Sequence, residues 1–276
     1  MISFKKNIDI WNGETTIGAT QRCQRKMKMA NAKVTWLGHA SVRVEADGMV
    51  IFFDPWIEKN PKCPIALKDI RQAAAVCVTH GHDDHIGDSL AIVRQTGARL
   101  VCSPEIALYA DRHGIGYDVG SYPLNIGGSW QTDAFVITMV AADHTSEILG
   151  EEFQKDKTVM PGSGAAGFVL QFADGPGIYY AGDTGVFGDM ALIRDLYAPD
   201  LAICPAGGKY NMGYREAAYA ASLVRPHAFI PIHHGTFPNQ ILDMKRLESE
   251  MKVRAPTVRL IALQPGESFE IGRDQR

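Results

Sequence analysis

This sequence predicts an α/β fold of two packed sheets with helices outside, on three observations. Short runs rich in Val, Ile, Phe and Tyr alternate with helix-like segments from about residue 33 to the end of the chain. Each half opens with hairpin-like strands and continues as strand–helix units, which is the pattern of sheets covered on one face by helices. Four separate strands end in His or Asp, and such groups at neighbouring strand ends meet in one cleft.

The elements follow in order. "KVTWL", "SVRVEA" and "MVIFF" are strands, with Asp47-Gly48 as the turn between the last two. "AAAVCVT" is a buried strand, "DSLAIVRQTG" a helix stopped by Gly97, and "ARLVC" a strand. "SPEIALYADRHG" is a helix with Ser103 as N-cap, Pro104 in the first turn and Gly114 at the end. In the second half "FVITMVA", "GFVLQFA" and "IYYAG" are strands. "DMALIRDLY" (helix), "LAICP" (strand), "YREAAYAASLV" (helix), "AFIPI" (strand) and "QILDMKRLESEM" (helix) then alternate. "VRLIAL" and "ESFEI" close the chain. Residues 1–32 read as a loosely ordered extension and 33–276 as the domain.

Composition narrows the function classes. The chain has 276 residues, 46% of them hydrophobic, enough for a sizeable core. A net charge of −3 gives no electrostatic reason to expect nucleic acid or an anionic membrane. No apolar stretch approaches the ~20 residues of a membrane span. Five cysteines without a CxxC argue against a disulfide framework or a cysteine-zinc site, and suit a reducing cytoplasm. The expected partner is a small-molecule substrate, with homo-oligomerisation left open.

The chemistry concentrates in "THGHDDHIGD", Thr79 to Asp88, directly after a buried strand. His80, His82, Asp84 and His85 lie there; His144, Asp183, His233 and His234 follow three other strands. Imidazoles crowded this closely repel when protonated and resist burial unless paired, and a divalent metal removes both difficulties. Imidazole plus carboxylate without thiolate suits zinc, manganese or iron. About seven ligands exceed the four of one tetrahedral ion, so two ions are implied, with a carboxylate such as Asp183 as the natural bridge. His113 and His227 read as ordinary structural histidines; His39 lies between the two categories, and His234 is the alternative to His233.

"HGHDDH" matches the HxHxDH signature of the metallo-β-lactamase superfamily, and His144, Asp183 and His233 match its later ligand positions in order. "TWLGHAS", "FDPW", "YYAGDTGVFGDM" and "IPIHHGTFP" look closest to its L-ascorbate 6-phosphate lactonase-like branch. The resemblance implies an αββα sandwich in which His80, His82 and His144 hold one metal. Asp84, His85 and His233 hold the second, and Asp183 bridges. Zn²⁺ is the first choice, with Mn²⁺ or Fe²⁺ as alternatives. Asp54 resembles a residue that supports the ligand loop, against the plain alternative of a turn aspartate before Pro55.

The expected reaction is hydrolysis of a small ester, lactone or phosphorylated substrate by a dinuclear metal-bound hydroxide, with Asp84 orienting the nucleophile and moving a proton. His82 stands where oxygen-reducing diiron members usually carry Glu, which favours hydrolysis. The alternatives are a phosphodiesterase or nuclease and, in a different class, a metal-binding sensor with a non-catalytic site. Substrate contacts are expected from residues 145–167 and 207–213, the latter including Lys209.

Overall fold

The computed structural model describes residues 31–272, so the expected N-terminal extension lies, up to residue 30, outside the described residues. The first sheet begins as an antiparallel meander of β1 (Ala32–Trp36), β2 (Val42–Ala46) and β3 (Met49–Phe53). Asp47 and Gly48 turn the second hairpin with φ of 48° and 78°, the two-residue geometry that Asp-Gly favours. β4 (Ala75–Cys77), β5 (Arg99–Cys102) and β6 (Ser121–Pro123) extend the sheet in parallel. Their crossovers carry α1 (Asp83–Ile86), α2 (Ser89–Thr96) and α3 (Pro104–Arg112). The Ser103 hydroxyl accepts from Ile106 N and caps α3 as its sequence predicts.

The second sheet repeats the plan. β7 (Ser129–Gln131), β8 (Phe135–Ala141), β9 (Ala166–Phe172) and β10 (Gly177–Tyr180) are antiparallel, and α4 (Glu151–Asp156) lies in the β8–β9 connection. α5 (Met190–Tyr197), β11 (Leu201–Pro205), α6 (Tyr214–Val224), β12 (Ala228–Ile232), α7 (Met244–Arg254) and β13 (Arg259–Leu260) complete it, with β11 to β13 parallel. β14 (Ser268–Ile271) returns to pair antiparallel with β1. The orders are β14-β1-β2-β3-β4-β5-β6 and β13-β12-β11-β10-β9-β8-β7.

Three apolar layers hold this together. Between the sheets lie Trp36, Ile51, Phe53 and Cys77 from one side and Met139, Phe168, Tyr180 and Ile203 from the other. Alternate residues of the same strands face outward: Val76 and Leu100 under α2 and α3, Tyr179 and Cys204 under α5 and α6. A strand buried on both faces reads as a continuous apolar run, which explains "AVCV" and "IYYA". The result is the expected αββα sandwich.

Several boundaries differ from the sequence reading. α7 starts at Met244 rather than near Gln240, because the Asp243 carboxylate accepts from Arg246 N and caps it there. β13 is two residues long, not six. β6 and β7 were not expected: three-residue strands carry too little periodicity to be read. Residues 145–167 contain α4 instead of being loop throughout.

Candidate metal centre

The strand ends named by the sequence meet at one edge of the sandwich. β4 leads into His80, His82, Asp84 and His85; β8 leads to His144, β10 to Asp183 and β12 to His233. Potential ligand atoms of His80, His82 and His144 lie within 4.8 Å of one another, as do those of His80, His85 and Asp183, and those of His39, Asp84 and His233. All seven predicted residues are therefore brought together. His234 is not among them: its ring stacks at a tilt on Trp36, 4.9 Å between centroids, while His233 turns inward at a φ of 59°. His113 pairs with Glu151 and Glu152 on α4, and His227 lies 3.9 Å from Asp200; both are remote from the cluster.

Glycines let the backbone pack this tightly. A Cβ on Gly81, between two of the histidines, would lie 2.7 Å from the Ile148 Cα. A Cβ on Gly182 would lie 2.6 Å from the Thr79 Cγ2, and its φ of +62° also favours glycine.

Asp54 organises the histidines from behind. Its carboxylate is fully buried and accepts four hydrogen bonds: from Thr79 N (2.8 Å) at Oδ1, and from the Thr79 hydroxyl (2.7 Å), His85 Nδ1 (2.7 Å) and the Tyr180 hydroxyl (2.9 Å) at Oδ2. Since the Thr79 hydroxyl donates to Asp54, its oxygen accepts from His80 Nδ1 at 3.0 Å. These bonds put a proton of His80 and of His85 on Nδ1 and direct both Nε2 atoms at the cluster, where they can bind metal in place of a proton. Asp54 thus supports the ligand loop; it is not a plain turn aspartate.

Asp183 sits at the middle. Its Oδ2 lies 3.6 Å from His144 Nε2, 3.6 Å from His85 Nε2 and 3.1 Å from His233 Nε2. Its Oδ1 accepts from Asn211 Nδ2 (3.3 Å), whose own Oδ1 accepts from Gly207 N. The second expected loop therefore reaches the centre through Asn211. Lys209 is exposed, with its ammonium over the Tyr210 ring, and it is Tyr210 that lines the cleft.

His39 is the residue the sequence left undecided. It is fully buried after β1, with Nε2 2.8 Å from Asp84 Oδ2 and Nδ1 3.0 Å from the Thr236 hydroxyl. Burial pushes it down to about 4 against the pull of Asp84, so it is neutral and donates to that carboxylate. Its carbonyl accepts from His233 N and Trp36 Nε1. The one sequence signal was a histidine beside a glycine just past an apolar strand.

The donor set fits divalent metal. His85 Nε2 and His233 Nδ1 are buried without a hydrogen-bond partner, and His233 Nε2 is buried against the Asp183 carboxylate at 3.1 Å. Such orphaned polar atoms are costly unless something binds them. His80 Nε2 and His82 Nδ1 face each other at 3.0 Å, close to the spacing of two nitrogens on one ion at ~2.0–2.1 Å. Electrostatics agree. Burial works to raise the Asp84 and Asp183 carboxyls, yet surrounding histidines hold both well below the usual carboxylate range. Burial works to lower His85, and Asp183, Asp54 and Asp84 outweigh it and raise it. Burial and the His85 charge keep His80 neutral. Burial works to lower His233 as well, and Asp183 and Asp84 raise it to about 9. In the metal-free protein, protons on His85 and His233 balance the buried carboxylates, and divalent ions would take their place.

A two-sheet sandwich with this His/Asp set at one edge defines a metallo-β-lactamase-type fold. The model of the β-lactamase superfamily domain matches residues 50–234, more than half of the chain, and the chain belongs to that superfamily. Within it, the chain belongs to the UPF0173 metal-dependent hydrolase family. It is 40% identical over 238 residues to the member from Methanopyrus kandleri, covering 86% of this chain and 99% of that protein. It is 37% identical over 243 residues to the Methanosarcina mazei member, covering 88% and 100%. Among solved structures it resembles Igni18, a metallo hydrolase from Ignicoccus hospitalis, with a TM-score of 0.74 and 33% identity over 87% of this chain and 98% of that one.

Proposed function

We propose that this protein hydrolyses a small ester, lactone or phosphorylated substrate with two divalent ions, Zn²⁺ first among the candidates. His80, His82 and His144 would hold one ion, Asp84, His85 and His233 the other, and Asp183 both. The observation that carries this is the Asp183 Oδ2 atom, within 3.6 Å of His144 on one side and of His85 and His233 on the other. When bound, such ions act as Lewis acids and make water nucleophilic near neutral pH.

The chain's own groups have separable tasks. Asp84 is 26% exposed at the cleft and stays ionised, so its carboxylate can take a proton from attacking water. The His39 hydrogen bond fixes the orientation of that carboxylate. Asp54 and Thr79 hold His80 and His85 in one tautomer. Among the described residues no cysteine lines the cleft: Cys77, Cys102 and Cys204 are buried in the sheets, where burial raises their thiols, and burial raises the half-buried Cys63 too, which favours water over a thiol as nucleophile.

The test combines elemental analysis with a turnover screen of esters, lactones, phosphodiesters, thioesters and β-lactams. Two ions per chain, loss of turnover with chelator and ¹⁸O from solvent in the first-turnover product are expected. A single ion at saturation sinks the dinuclear reading, and a trapped acyl-enzyme sinks direct water attack.

A further inference from the structure

The cleft over the cluster has a volume of about 780 Å³, in the range of small-molecule sites. Its walls differ in character. The floor is the His/Asp cluster. One wall is the turn 235–240, which follows directly from His233. That turn is braced internally: Gly235 N donates to the Gln240 carbonyl (2.7 Å) and Gln240 N to the Phe237 carbonyl (3.0 Å). Phe237 stands on it, 41% exposed, with its ring set edge-on to His39 at 5.7 Å and tilted to Trp56 at 6.3 Å. Tyr210 faces the same space, 56% exposed. Two aromatic rings left partly bare over a reactive centre form an apolar platform.

Gln240 adds a polar contact on that wall. The residue lines the cleft and is 3% exposed, and its Oε1 lies buried without a hydrogen-bond partner. A buried amide oxygen left unmatched destabilises the fold, and in native proteins such a group is met by water, an ion or a ligand. The opposite rim is acidic. Asp83 is exposed there, and Glu147, half exposed, lies 3.4 Å from His82 Nε2. A substrate with a second anionic group away from its reacting bond would set that charge beside carboxylates and aromatic faces.

We infer that the cleft selects uncharged substrates, a hydroxyl-bearing ester or lactone whose alkyl or aryl part lies on Phe237 and whose hydroxyl donates to the Gln240 amide oxygen. This rests on the hydrolytic reading above and narrows it: the phosphorylated members of the substrate class are disfavoured. It also makes the 235–240 turn a specificity element in addition to the two loops expected from sequence.

The experiment uses the full chain loaded with Zn²⁺ and a matched pair of non-hydrolysable probes, a hydroxyl-bearing, phenyl-substituted valerolactam and the same lactam bearing phenyl phosphate. Calorimetric titration should show the uncharged lactam binding about tenfold or more tightly than its phosphate partner. Phe237→Ala should weaken the uncharged probe by about tenfold and Phe237→Leu by less, with metal content unchanged. Phe237→Arg should shift the preference towards the phosphate. Gln240→Leu should weaken binding while keeping or raising the thermal midpoint, a combination that a purely structural glutamine does not produce. Equal or tighter binding of the phosphate probe, no binding of either, or unchanged affinity in both Phe237→Ala and Gln240→Leu overturns the inference. Turnover of the two corresponding lactones, one with phenyl and one with phenyl phosphate, separates it from the hydrolytic reading. Selective binding without turnover refutes hydrolysis and leaves the selectivity standing, whereas faster turnover of the phosphorylated lactone does the reverse.

Discussion

Replacing Asp54 with Asn tests the support behind the histidines without touching any proposed ligand. In the native protein both carboxylate oxygens receive only donors. An amide cannot reproduce this. With its oxygen at the Oδ2 position it keeps the bonds from Thr79, His85 and Tyr180, but its NH₂ then confronts Thr79 N at the 2.8 Å separation now filled by Oδ1. The reverse orientation sets the NH₂ against three donors. The favourable flip loses one charge-assisted bond, worth about 1.5–3 kcal/mol, weakens three others and adds a donor–donor clash. Losses of about 3–5 kcal/mol are typical when one partner of a buried charged network is removed. At about 2–4 °C per kcal/mol for a domain of this size, the thermal midpoint should fall by about 10 °C. His85 and His80 would lose their fixed tautomers, and affinity for metal should fall about 10–100-fold. The assay is calorimetric melting of the metal-loaded protein together with chelator competition. Asp47→Asn, on the exposed hairpin turn that Asn also favours, is the control and should stay within about 0.5 kcal/mol. A midpoint for Asp54→Asn within about 2 °C of wild type, with metal affinity intact, would refute the reasoning.

Three other outcomes are expected. His233→Ala should lower bound metal and abolish most turnover, while His234→Ala, whose ring lies on Trp36, should retain metal; elemental analysis of the pair decides, and the reverse ranking shows the assignment to be off by one residue. Gly182→Ala should destabilise by about 1–3 kcal/mol in urea unfolding, since the new methyl meets Thr79 at a positive φ, and a neutral result would show that Thr79 moves freely. In metal-free protein, burial holds His39 and His234 down to about 4, below their unfolded value of 6.5. The unfolded chain therefore binds more protons between these limits. Stability present above pH 6.5 should be lost as pH falls towards 4, less steeply in His234→Asn, and urea midpoints that stay flat across that range contradict the burial of these rings.

Much of this protein can be read from local pattern. The apolar runs, the Ser103 cap and the Asp47-Gly48 turn depend on neighbours in the chain, so the strands and most helices could be placed without coordinates. The seven candidate ligands were visible for a related reason: metal chemistry demands His and Asp at strand ends, and four such ends stood out as polar clusters after apolar runs. What local pattern could not supply are relations between distant segments. Asp54 gains its meaning only when β3 lies beside β4, so that Thr79 and His85 reach its carboxylate, and when Tyr180 arrives from the other sheet. His39 looks like any turn histidine until β12 brings His233 N onto its carbonyl and Asp84 onto its ring. Gln240 reads as the start of a helix, and only the Asp243 cap and the closed 235–240 turn set it on the cleft wall. The sequence alone determined which His and Asp residues stand at strand ends as candidate ligands, because that is a property of side-chain chemistry and strand position. The tertiary structure decided which groups hold them in place and what shape faces the substrate, because those depend on distances between residues as many as 197 positions apart.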